Sequence, residues 1–273
     1  MQYLLRRAAR LLAVATGLML TWSAQAQVPR RPTPPPAPSD EQSYSKEFVF
    51  GINFNTQGGL IGGLMLRSAH LLENDRLLRF WSLEGVMLKN DKEQRYDSRY
   101  GGSFVYTKAN YAFALRPSFG FERILFRKAA ESGVQVNGLL SAGPSIGLLM
   151  PYHIIYDRTL ANTGAYSPST DELVNEQYDP TIHTVPGAIL DSAPLFSGIG
   201  NTSVVPGAHL RGGLSFEYGR YRDAVTGVEA GFLLEAYTRR MLILNPDAAG
   251  STDELNYRFF PSVYLTLYFG QRT

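Results

Sequence analysis

From Glu47 onward, apolar and polar residues alternate with a period of two, the mark of strands whose faces meet different surroundings. In residues 48–55, Phe48, Phe50, Ile52 and Phe54 share one face, and Val49, Gly51, Asn53 and Asn55 the other. Residues 111–122 set Tyr111, Phe113, Leu115, Pro117, Phe119 and Phe121 against Ala112, Ala114, Arg116, Ser118, Gly120 and Glu122. The same alternation runs through 134–150, 210–218, 228–239 and 259–269, and the less regular segments 59–69 and 77–89 bring the count to eight. Most of these segments reach the roughly nine to eleven residues that a tilted membrane-spanning strand needs, whereas globular strands usually have about five or six.

The connections alternate as well. Short ones fall at 72–76, 127–133 and 220–224, and long ones at 90–102, 157–206 and 242–256, with a tight outer turn at 56–58 as the exception. Short inner turns and long outer loops are the habit of membrane barrels. An antiparallel sandwich also alternates, but strand length, loop asymmetry and a last strand finishing on Leu265, Leu267 and Phe269 favour a barrel. The pattern predicts an all-β fold: an eight-stranded antiparallel up-and-down transmembrane β-barrel with a long external loop at 157–205.

The N-terminal residues set the expected compartment. Arg6, Arg7 and Arg10, the apolar run 11–19 and Ala24-Gln25-Ala26 make 1–26 an expected secretory signal peptide. Residues 27–46 form an expected proline-rich periplasmic spacer, with six prolines between positions 28 and 39 favouring an extended chain. The barrel would occupy 47–273. The chain has no cysteine, which excludes disulfides, thiolate metal sites and a cysteine nucleophile. Only 18% of its residues are charged, below the roughly 25% of soluble domains. Removing Arg6, Arg7 and Arg10 turns 26 basic against 24 acidic residues into 23 against 24, so nucleic acid is not an expected partner.

Five strings occur in order along the chain: LKNDKE (88–93), GGSFVYTKANY (101–111), GPSIGLLMPYHIIY (143–156), VPGAHLRGGLSFEYG (205–219) and YLTLYFGQR (264–272). Through them, residues 47–273 resemble a family of Bacteroidetes-type outer-membrane β-barrel proteins. The resemblance implies a location and an architecture and little about activity. Met150 stands where relatives often carry a lysine before the Pro151-Tyr152 pair. The aromatic last strand resembles the assembly signal of outer-membrane barrels, which implies barrel-assembly machinery as a partner during insertion and outer-membrane lipid as the permanent one.

An eight-stranded barrel holds little more than its own side chains, so the lumen is expected to be sealed. The inward faces are assigned Arg67, Arg116, Arg211 and Arg239 with Glu84, Glu122, Glu217, Glu229 and Glu235, a set that must pair to be buried. Trp81, Tyr111, Tyr218 and Phe269 are expected on the outward face near strand ends, as anchors at the lipid interface.

Candidate chemistry is sparse: the four histidines show no metal-ligand spacing, and no nucleotide-binding loop occurs. No cofactor, metal site or catalytic residue is assigned. An alternative is a hydrolase at the external rim, with His153 and His209 meeting beside Asp157 or Asp191 and with Ser145 or Ser203 as nucleophile. A small-solute channel is a second alternative. The long loop carries Val185, Ile189, Leu190, Leu195, Phe196 and Ile199, too many apolar residues for a solvated connection. It would either pack on itself as a lid over the barrel mouth or dock another envelope protein. The leading expectation is a non-enzymatic structural or interaction subunit of the envelope, possibly of an assembly or secretion complex.

Overall fold

The computed structural model describes residues 45–72, 76–99, 101–127, 133–164, 172–218, 224–245 and 255–273. The expected signal peptide and nearly all of the proline-rich spacer lie outside the described residues. Eight strands close into an antiparallel barrel: β1 (Lys46–Asn55), β2 (Gly59–Leu71), β3 (Leu77–Leu88), β6 (Asn110–Phe126), β7 (Val134–Pro151), β11 (Ser203–Tyr218), β12 (Ala224–Tyr237) and β13 (Phe259–Arg272). Each pairs with its neighbours in the chain, and β1 closes the ring on β13, with Phe50 opposite Phe269. Closure leaves no sheet edge, so the ladder amides find their partners within the wall apart from local irregularities near Phe54 and Leu125.

The alternation read from sequence is the alternation of burial. Along β1 even-numbered residues face out and odd-numbered ones are buried, from Glu47 through Val49 and Gly51 to Asn53. The outward face is mostly apolar, with Leu64, Trp81, Leu140, Leu210, Phe232 and Leu265 exposed, and it carries the exposed Arg79 and Arg123 near the inner ends of β3 and β6. The strands run longer than the hydrophobic contrast alone marks. β11 starts at Ser203, because Val204, Pro206 and Ala208 alternate with residues as small as Gly207 and the contrast there is faint.

Glycine serves close packing inside the wall. A Cβ on Gly213 or Gly231 would sit 2.6 or 2.8 Å from the Tyr264 hydroxyl, so these positions leave room for the tyrosine to reach into the lumen. Outside the barrel a hairpin, β4 (Gln94–Asp97) with β5 (Ser103–Tyr106), stands in the second outer connection. The third outer connection forms a three-stranded sheet of β8 (His153–Asp157), β9 (Leu173–Gln177) and β10 (Ile189–Ser192), with β8 in the centre and a short helix α1 (Arg158–Thr163) after it.

Candidate functional site

The lumen has two storeys. The inner one is a continuous ion-pair network. Arg116 donates to Glu235 at 2.7 and 2.9 Å and lies 3.3 Å from Glu84. Arg211 lies 3.3 Å from Glu84 and donates to Glu229 at 2.6 Å, with its guanidinium 3.9 Å from the centre of the Tyr264 ring. Arg67 donates to Glu229 at 2.9 Å and stands 3.5 Å from Glu122. Asn53 donates to Glu84 and to the Thr266 hydroxyl, and Tyr264 donates to Glu229 at 2.8 Å. Eight of the nine residues assigned to the lumen are buried there.

Arg239 is the exception. β12 ends at Tyr237, so the period of two no longer holds two residues later; Arg239 is exposed and its guanidinium reaches the Val204 carbonyl at 3.5 Å. The fourth arginine of the lumen is instead Arg272, at the opposite, inner end of the barrel, which donates to Glu47 at 2.8 Å and to Glu217 at 2.9 Å. Hydrophobic contrast misses both Arg272 and Glu47 because they lie beyond the marked ends of the last and first strands. The signal that could find them is parity: Arg272 continues Tyr264, Thr266 and Tyr268, and Glu47 precedes Val49.

Four arginines thus face six glutamates, and they are not equally held. Glu229 receives two arginines and a tyrosine. Glu122 receives Asn137 at 2.6 Å through one oxygen, while its other oxygen has no hydrogen-bond partner among the described residues. A cavity of about 10 Å³ lies among Arg67, Ser82, Ser141, Arg211 and Glu229. That is about the volume one water needs, far below a solute's.

Of the residues gathered for rim catalysis, the structure brings together only part. Ser145 Oγ lies 3.1 Å from His209 Nδ1, and Ser118 Oγ, which the sequence does not single out, lies 2.7 Å from Nε2. All three are buried inside the wall. His153 stands instead on β8, 3.1 Å from the Asn175 side chain. Asp157 caps α1 by accepting from Leu160 N, Asp191 accepts from Ser103 N at 2.9 Å, and Ser203 is exposed at the start of β11. The two histidines therefore do not meet at the rim.

The outer storey is apolar and its plug comes from an unexpected segment. Met241, Ile243 and Leu244, in the connection from β12 to β13, are fully buried among Val86, Leu88, Ala112, Ala114, Leu149, Val205 and Phe260. These are the inward residues at the outer ends of β3, β6, β7, β11 and β13. Asn256, also buried, fixes the plug backbone: its Oδ1 accepts from Ile243 N at 2.8 Å and Leu244 N at 3.0 Å, and its Nδ2 donates to Leu244 O at 2.6 Å. Ala109 and Asn110 donate to Ile243 O, and Asn245 donates to the carbonyl of Thr107. Thr107 has φ of 60°, a strained value for a β-branched residue that turns the chain from β5 into this contact. A Cβ on Gly147 would come within 2.9 Å of both Tyr237 and Met241, so glycine makes the seat for the plug.

The long loop packs elsewhere. Its sheet shares a core with the β4–β5 hairpin, built from Phe104, Tyr152, Ile154, Tyr156, Tyr178, Ala188 and Ile189. Lys108 is buried above the Tyr111 and Tyr152 rings, 4.8 and 6.0 Å from their centres, and pairs with Glu93 at 2.9 Å. Burial pulls its pKa below the ordinary lysine value against the pull of Glu93, and burial pushes the Tyr152 hydroxyl up to about 12. His183 stacks on Tyr178 and reaches Glu176 at 3.1 Å, while Arg158 reaches the other Glu176 oxygen at 2.6 Å. Partial burial raises the pKa of Glu176, but those two hydrogen bonds outweigh it and hold the carboxyl below its ordinary range. Asp179 is held low by hydrogen bonds from the side chain and backbone of Thr181.

The apolar set of the loop therefore divides. Ile189 is fully buried in the module core and Leu190 half-buried, whereas Val185, Leu195, Phe196 and Ile199 are exposed. The expected interface aromatics divide too. Tyr218 and Phe269 are exposed on the outward face, Trp81 lies within the wall beside Phe119 rather than at a strand end, and Tyr111 belongs to the external core.

No protein-family model and no curated protein matches the chain. Among solved structures, the chain is similar to Ail, the attachment invasion locus protein of Yersinia pestis. In complex with the heparin analogue sucrose octasulfate, that protein shows 11% identity and a TM-score of 0.35 over 85% of this chain and all of Ail. Alone it shows 10% identity and a TM-score of 0.38 over the same shares.

Proposed function

We propose that this chain is an integral protein of the bacterial outer membrane, a sealed barrel that serves as a structural or interaction subunit of the envelope and carries a small folded module on its outer side. One observation carries the reading: the wall turns its apolar side chains outward, exposed, and its charges inward, paired. A water-soluble protein does the reverse. The outward apolar residues of β13, from Phe259 to Phe269, rise about 25 Å at about 3.3 Å per residue and the usual tilt, the height of the apolar band of such barrels. Backbone satisfaction by closure meets the other demand of hydrocarbon.

Within that reading the lumen supports packing rather than passage. Ion pairs and buried apolar side chains such as Met65, Phe80 and Leu139 occupy the inner storey, the Met241–Leu244 plug occupies the outer one, and the cavity beside Arg67 and Glu229 admits about one water. A planar bilayer recording tests this: the reconstituted protein is expected to give no steady conductance, and reproducible steps would revive the channel alternative. The external module, with its own aromatic core, is the part placed to meet a partner from the envelope.

The hydrolase alternative has one observation in its favour, the two serines flanking His209. Their burial argues against it, because the wall and the plug stand between them and any substrate. Labelling with a fluorophosphonate probe distinguishes the two: no modification is expected, and adduct on Ser118 or Ser145 would restore catalysis.

A further inference from the structure

The exposed apolar residues Leu195, Phe196 and Ile199 belong to a segment whose position and chemistry differ from the rest of the external module. The chain turns at Ser197 and at Asn201 and lies against the outer end of β7: a Cβ on Gly198 would strike the backbone of Pro151. Five residues after Gly198 the chain enters β11 at Ser203, paired with Leu149, and Val204 follows on the outward face opposite Leu148. Val204 is exposed and stands at the top of the outward row that continues through Leu210, Leu214 and Phe216. The segment that carries the exposed Phe196 and Ile199 thus lies against the outer end of the wall and leads directly into the top of this apolar row.

Composition sets the segment apart, and its backbone pairing is compatible with a lipid setting. No charged residue occurs from Ser192 to Ala208, whereas the surfaces on either side carry Arg158, Glu176 and Asp179 on the module and Arg239 on the next outer connection. The segment also satisfies its own backbone by consecutive tight turns: Ser197 N donates to Pro194 O, Ile199 N to Phe196 O, Asn201 N to Gly198 O and Thr202 N to Ile199 O, at 2.9 to 3.3 Å. Such turn bonds also occur in the polar connections, at Asp179–Ile182 and Asn90–Glu93, and they are what a low-dielectric layer requires of a segment placed in it. Arg239, exposed and bonded to the Val204 carbonyl, supplies a cation at the same margin, where a guanidinium can reach lipid headgroups.

We propose that residues 195–199, together with Val204, form a lipid-facing foot of the external module, whose occupant is the acyl-chain region of the outer leaflet rather than another protein. The foot rests on the membrane reading given above and adds to it: the module is held against the bilayer on one side of the barrel instead of standing free above the mouth. Burying two side chains of this size in hydrocarbon favours that pose.

The absence of cysteine makes the test direct. Single variants F196C and I199C, each carrying a nitroxide, are reconstituted in phosphatidylcholine vesicles, and their collision rates with oxygen and with a water-soluble nickel chelate are compared by power saturation. L214C on the wall and I182C on the module serve as references; Ile182 is 69% exposed and lies among polar residues. The foot requires that labels at 196 and 199 favour oxygen over nickel as the label at 214 does. Labels at 196 and 199 that favour nickel as the label at 182 does would overturn the foot and leave the barrel untouched. A label at 214 that favours nickel would overturn the membrane reading, and the foot with it. All four positions are exposed, so the substitutions leave the core unaltered.

Discussion

The lumen glutamates illustrate how differently buried charges of one type can be held. Removing one partner of a buried ion pair commonly costs about 3–5 kcal/mol, because the other charge is left without compensation. Glu229 compensates both Arg67 and Arg211, so Glu229→Gln is expected to fall in that range, read as a shift of the urea-unfolding midpoint in lipid vesicles. Among the described residues Glu122 pairs with Arg67 alone, at 3.5 Å, and keeps Asn137 as a neutral partner. Glu122→Gln is therefore expected to cost less than half as much; equal losses at the two sites would contradict the unequal network. Parity makes most of this set legible in the amino-acid sequence: a glutamate or arginine on the face opposite phenylalanine and leucine has to be inside. What parity cannot supply is the point where a strand stops. Arg239 fails by two residues and Arg272 succeeds by three, and nothing in local hydrophobicity marks either limit.

Among the elements, the plug and the external sheet carry the tertiary information that the sequence conceals. The strands are legible because a long alternation repeats one physical rule. The lid is not, because Met241, Ile243 and Leu244 are three apolar residues in an irregular connection, while the loop at 157–205 offers twice as many and draws the expectation. Their burial decides the matter: Ile243→Ala removes a fully packed side chain and is expected to lower stability by about 2–5 kcal/mol, read by the same unfolding midpoint. A loss below about 0.5 kcal/mol would show the plug to be loosely seated. The external sheet has its own pH dependence. Glu176 and Asp179 are held below their ordinary values in the folded module, so their contribution is complete above the unfolded carboxylate values and is lost as pH falls through the lower folded ones. Hydrogen-exchange protection factors of β8 and β9 are expected to fall below about pH 4, with those of β6 and β7 unchanged; protection that holds level to about pH 3 would contradict this.

For the whole molecule, fold and function rest on a single inversion, apolar side chains outside and paired charges inside, and each wall strand restates it. A ring of eight strands has an interior that its own side chains largely fill, so on the proposed reading the outer connections are the parts offered to other molecules. Trp81 gives direct access to the claim, being 62% exposed on the outward face of β3 between Ser68 and Phe119. The chain starting at Gln27 retains Trp81 and lacks Trp22, so its fluorescence reports one position. In vesicles whose acyl chains carry bromine near their middle, Trp81 emission is expected to be strongly quenched, and aqueous acrylamide to have little effect. Efficient quenching by acrylamide with none from the brominated chains would place Trp81 in water and contradict a barrel that spans the membrane.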